Sequence, residues 1–206
     1  MSKVVVLGAS GRIARHAAGM LAEAGHELTL LVRDPDALEA VPPGARAVQG
    51  DVLIPEQLAA AAEGHDVVYA DQVDEQARRI IEAMDRAGVR RLVFITSLGI
   101  YHELPEPFET WNDAMIGDAL RVYRTAADVI ETAGLDHTII RPAWLTDADE
   151  IDYEITQRDE QFKGTEVSRK SVAAVVTEAV GDPGRFARTN IGLGKPGTDG
   201  PKPAFM

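Results

Sequence analysis

The sequence predicts an α/β protein, with one doubly wound parallel sheet in a single domain. Three observations carry this. Short apolar runs alternate with segments of helical period. A turn with two glycines, Gly8-Ala9-Ser10-Gly11, joins the first apolar run to the first helical segment. The chain has 206 residues, which suits one domain and leaves little room for a second.

Each element follows from its pattern. Val4 to Leu7 is an apolar run suited to a strand buried on both faces. Ile13, Ala17, Met20 and Leu21 then recur at helical spacing to Glu23, and Gly25 supplies the stop. Leu28 to Val32 and Ala45 to Val48 predict the next two strands. Pro55 opens a helix through Ala62, ended by Gly64. Val67 to Ala70 predicts a fourth strand. Val73, Ala77, Ile80, Ile81 and Met84 lie on one helical face, closed by Gly88. Leu92 to Ile95 predicts a fifth strand. A long helix is expected over Asp113 to Thr132, ending at Gly134. Thr138 to Arg141 reads as a sixth strand that Pro142 stops. Ser168 or Ser171 caps a helix through Val180. Asp147 to Glu154 is expected to be a solvated acidic loop. The tail, about 194–206, is rich in Gly and Pro and should be irregular. The insertions after residue 97 are expected to build the substrate side.

Lys and Arg total 21 against 33 Asp and Glu, a net charge of -12. That balance argues against nucleic acid as a partner but leaves room for a small basic pocket. With no cysteine, disulfides, thiol nucleophiles and Cys-ligated zinc are excluded. The five histidines are scattered, with no pair at ligand spacing, so no metal is expected. The first apolar run is too short for a signal peptide, and no run approaches the ~18 residues of a membrane span. The expectation is a cytoplasmic protein with no membrane partner.

The turn has a specific physical logic. Gly8 permits a tight bend, Gly11 lets a pyrophosphate approach the backbone, and Ala14 allows close helix–sheet packing. The following helix offers unpaired N–H groups and partial positive charge around Arg12 and Ile13. Gly8 through Ile13 is therefore the candidate phosphate-binding segment; the bland alternative is a structural turn. At the end of the second strand, where an acidic residue would accept from an NAD ribose, stands Arg33. A guanidinium there suits a 2′-phosphate, and Arg12 is placed to grip it from the other side. The competing reading makes Asp34 the ribose acceptor.

The Gly-x-x-Gly-x-x-Ala spacing resembles the short-chain dehydrogenase/reductase superfamily, in its atypical, NmrA-like or NAD(P)H-binding branch. That branch includes biliverdin reductase B-like proteins. Leu31-Val32-Arg33, Gly50-Asp51-Val52, Thr96-Ser97 and Ile140-Arg141-Pro142 carry the resemblance further, as does the closing Lys195 to Phe205. It implies a Rossmann-type fold and NADP(H) as cofactor, with NAD(H) second. It also implies that Asp51 binds the adenine amino group with Val52 contributing backbone, that Pro142 faces the nicotinamide, and that Ser97 holds a substrate carbonyl. Locally, Asp51 also reads as a turn residue and Pro142 as a strand stop. One departure stands out. Relatives carry a Gly-containing segment after the fourth strand, whereas this chain runs from Tyr69-Ala70 straight to Asp71-Gln72-Val73: either that wall of the pocket is more open, or residues are absent from the sequence at this point.

Reductases of the usual kind pair a Tyr with a Lys four residues later, so the phenol can act as acid or base. Here Tyr69, Tyr101, Tyr123 and Tyr153 are followed at that spacing by Val73, Pro105, Ala127 and Gln157. No relay exists. Ser97 and Tyr123 remain the candidate catalytic residues, with Tyr101 and Trp111 as further pocket aromatics. Two functions fit. One is an NADPH-dependent reductase of a small flavin-, quinone- or carbonyl-type acceptor; the other is a non-catalytic NADP sensor. The long helices leave a homodimer open.

Overall fold

The computed structural model describes residues 1–71 and 76–206. In chain order the elements begin with β1 (Lys3–Leu7), α1 (Arg12–Glu23), β2 (Glu27–Val32), β3 (Arg46–Gln49) and α2 (Pro55–Ala62). They continue with β4 (Val67–Ala70), α3 (Ala77–Ala87), β5 (Arg91–Ile95), α4 (Phe108–Thr132) and β6 (Asp136–Pro142). The last are β7 (Trp144–Thr146), β8 (Glu154–Thr156), β9 (Glu166–Ser168), α5 (Arg169–Gly181), α6 (Pro183–Phe186) and β10 (Thr189–Gly194).

One 8-stranded sheet runs in the order β3-β2-β1-β4-β5-β6-β10-β8. Its pairings are parallel except β8 against β10. β7 and β9 form a separate parallel pair. The chain starts at β1, moves outward to β3, then returns to β4 on the other side of β1. Such a reversal opens a crevice at the C-terminal ends of the two strands. Gly8 and Asp71 follow those ends directly.

Both faces of the sheet are covered, which is why its central strands are continuous apolar runs. α1 packs along α5 on one face. Small residues make this possible, since Ala14, Ala17 and Ala173 are fully buried. α2, α3 and α4 cover the other face over Val5, Leu7, Val68 and Leu92. Each such Val or Leu contributes about 1.5–3 kcal/mol by burial.

The structure departs from expectation in three places. The long helix begins at Phe108, five residues early by the sequence numbers, and is kinked at Ile116 (φ -136°, ψ 15°). The break beside Gly117 shifts the helical phase, so only the second half shows one period. The acidic stretch is more than a solvated loop. Asp147 bridges two arginines, Asp149 meets Lys170 at 2.5 Å, Glu150 meets Lys195 at 2.7 Å, and Glu154 opens β8. The tail is irregular as expected, but it is tied down: Thr165 Oγ1 donates to Thr198 O at 2.6 Å and Gly164 N to Asp199 at 2.9 Å. Val73, with most of the shortened loop, lies outside the described residues.

Candidate cofactor and active site

The predicted phosphate turn forms as expected. Gly8 has φ +67°, a conformation that side-chain-bearing residues rarely adopt. Gly11 N donates to Gly8 O at 2.8 Å, closing the bend. Gly11 has no side chain to cap α1; Asp71 Oδ2 takes the Ala14 N–H at 3.3 Å, and the Arg12 and Ile13 N–H groups have no partner among the described residues. A Cβ at Gly11 would lie 2.9 Å from Asp71 Oδ2 and 3.1 Å from Gly8 O, which explains why this position is glycine.

Beside the turn is a cavity of about 380 Å³ lined by Gly8, Ser10, Arg33, Asp51, Val52 and Asp71, among others. It gathers five predicted binding residues from three separate loops. Gly50 shapes its floor, because a Cβ there would sit 2.7 Å from Leu31 Cδ1. Arg33 is exposed, and among the described residues its guanidinium has no partner. Asp34 also lines the cavity, and its Oδ1 accepts from Asp36 N at 3.1 Å, capping a short 3-10 turn. Asp51 takes both of its readings at once. Its Oδ1 accepts from Leu53 N at 2.9 Å, as in a turn, while the residue also lines the cavity.

Arg12 lies apart from this cavity. Its Nη1 meets Asp147 at 2.9 Å, and the other oxygen of Asp147 meets Arg169 Nη1 at 2.8 Å. Arg12 and Arg33 therefore do not flank one phosphate position in this arrangement. Arg169, the first residue of α5, is a charge that sequence reasoning missed. Nothing local marks it, because only the α1–α5 packing brings it to the turn. Burial lowers its pKa, as does nearby Arg12, against the pull of Asp147. Asp71 was also missed as a site residue. It is buried, and its carboxyl is pushed up to about 6, mainly by burial, against the Ala14 N–H and Arg169.

Ser97 follows β5 and is buried. Leu98 N donates to Pro142 O at 3.2 Å, so the structure brings Ser97 alongside Pro142. Tyr123 is partly buried on α4 and packs, with Tyr101, against the cluster under α2 and α3. Trp111, near the start of the same helix, packs against the other cluster. Tyr101 is enclosed by Arg158 at 4.3 Å, Arg124 at 4.5 Å and Arg141 at 5.4 Å. Its hydroxyl accepts from Asn190 at 2.8 Å. Burial raises its pKa.

Arg141 is fully buried and paired with Glu103. Glu103 also accepts from Gly99 N at 3.0 Å and Tyr101 N at 2.8 Å, so the pair fixes the loop after Ser97. Trp144, unnoticed in the sequence, meets Trp111 with ring centroids 4.9 Å apart, and its Nε1 donates to Asn112 at 2.9 Å. One histidine stands beside two carboxylates in space. The ligand atoms of His102, Glu109 and Asp113 lie within 4.8 Å of one another on the surface. His102 Nδ1 and Glu109 share a 2.8 Å hydrogen bond within that cluster.

A model of a family described as NAD(P)H-binding matches residues 8–183, from the first glycine of the turn through α5. The chain belongs to this NAD(P)H-binding family. Among solved structures it resembles a Rossmann-fold NAD(P)-binding family protein from Shigella flexneri, 45% identical, TM-score 0.84, covering 100% of both chains. It also resembles a short-chain dehydrogenase/reductase from Veillonella parvula in complex with NADP, 28% identical, TM-score 0.90, again over 100% of both. A curated relative is (4-alkanoyl-5-oxo-2,5-dihydrofuran-3-yl)methyl phosphate reductase from Streptomyces griseus, 30% identical over 142 residues. That match takes in 68% of this chain and 46% of the relative, so the chain spans about half of that enzyme. The family is reductase-like, and the match begins at the first glycine of the turn.

Proposed function

We propose that the chain is an NADPH-dependent oxidoreductase of a small flavin-, quinone- or carbonyl-type acceptor, working without a Tyr–Lys relay. The observation that carries the cofactor choice is the Arg33 guanidinium at the rim of the adenosine-sized cavity, without a partner among the described residues. A 2′-phosphate there would gain forked, charge-assisted hydrogen bonds. The residues fit the dinucleotide. Gly8 and Gly11 clear space for the diphosphate, the Arg12 and Ile13 N–H groups meet it, and Asp51 and Val52 flank the base. When bound, NADPH supplies hydride.

The chain's own residues then position and shield. Ser97 and Pro142 form the floor beside the nicotinamide. The half-buried Trp111 and Trp144 offer a planar acceptor a stacking surface at the same edge of the sheet. With no Tyr–Lys pair in the chain, the proton comes from water. That favours acceptors needing little acid help.

The test is NADPH oxidation against a panel of flavins, quinones and ketones. Turnover that falls in Ser97→Ala supports the enzyme. Tight NADPH binding with no turnover favours a cofactor sensor, a reading supported by the missing relay. Arg33→Asp should weaken NADPH about 10- to 100-fold and leave NADH nearly unchanged. An unaltered NADPH/NADH preference would contradict the assignment.

A further inference from the structure

A buried carboxylate stands inside the phosphate turn. Asp71 follows β4 at the switch point and is 7% exposed. Its Oδ2 accepts from Ala14 N at 3.3 Å, in the first turn of α1. Its Oδ1 has no partner among the described residues. The neighbouring N–H groups of Arg12 and Ile13 also lack partners there, and they are the groups a diphosphate would take. Carboxylate and diphosphate thus compete for one positive helix end.

We infer that Asp71 sets the strength and pH dependence of dinucleotide binding: the diphosphate enters only when this carboxylate is neutral or swung out of the turn. The inference rests on the cofactor reading above. The surrounding charges are Arg12 from α1, Arg169 from α5 and Asp147 bridging them. Tyr69, on β4 itself, is buried and held neutral, while Arg33, Asp34 and Asp51 face the shared cavity. Arg169 favours the ionised carboxylate, but burial outweighs it, so Asp71 ionises near pH 6. Above that pH, negative charge fills the turn. Below it, the turn is open to an anion.

The test is calorimetric titration of NADPH into the full chain and into Asp71→Asn, at pH 5.5 and pH 8. Comparing the two proteins at each pH cancels the titration of the ligand's own 2′-phosphate. Asp71→Asn should bind about 10- to 100-fold tighter than wild type at pH 8, and within about twofold at pH 5.5. Equal affinities at pH 8, or the same gap at both values, would overturn the inference. If neither protein binds NADPH at either pH, the cofactor reading itself has failed. Asp71→Ala serves if the asparagine variant does not fold. Wild type alone gives a second reading: NADH, with no 2′-phosphate, should bind more tightly at pH 5.5 than at pH 8, and no difference contradicts the inference.

Discussion

Asp71 also links single-residue chemistry to stability. Its carboxyl ionises near pH 6 in the folded chain, against 3.8 as the ordinary value, and burial is the chief cause. A carboxyl raised on folding favours the native state when protonated. Its contribution is fully present below about pH 4 and is lost as pH rises through 6. That shift amounts to about 3 kcal/mol. Asp71→Asn should therefore be more stable than wild type at pH 8, by up to about 3 kcal/mol, with a much smaller gain at pH 4.5. Denaturant midpoints at the two pH values check this, and an equal gain at both would count against it. Gly8 and Gly11 were legible because their backbone roles are set by their own loop. Asp71 and Arg169 were not, because each reaches the turn across strand or helix neighbours that no local pattern encodes.

At the scale of elements, helices were legible where caps and period agree. Ser168 is such a cap. Its Oγ accepts from Ser171 N at 2.9 Å and donates to Glu150 O at 2.7 Å. Ser168→Ala should cost about 1–2 kcal/mol in chemical denaturation. A loss within error of zero would mean that α5 is held by packing alone. The kinked start of α4 and the strands after β6 were illegible. β10 reads Thr-Asn-Ile-Gly-Leu-Gly, which lacks a β-branched run. Its glycines answer to tertiary contact. A Cβ at Gly192 would lie 2.6 Å from Phe162 Cε2, and one at Gly194 would meet the Lys163 carbonyl. The three-residue β7, β8 and β9 are too short for any period to show.

At the scale of the whole molecule, the doubly wound sheet followed from alternation alone, since parallel strands need covered faces and right-handed crossovers. The switch point between β1 and β4 then places the glycine turn, Arg33, Asp51 and Asp71 at one edge. A net charge of -12 coexists with three arginines at or beside that edge: Arg12, Arg33 and Arg169. Local placement of charge, rather than the total, decides which anion the protein can hold. The central claim is that this edge binds NADP(H). Its most direct test is amide NMR of the full chain during NADPH titration at pH 5.5. Saturable one-to-one shifts should appear at Ser10, Arg12, Ile13 and Arg33. Shifts that never saturate, or that saturate only at residues away from this turn, would contradict the account.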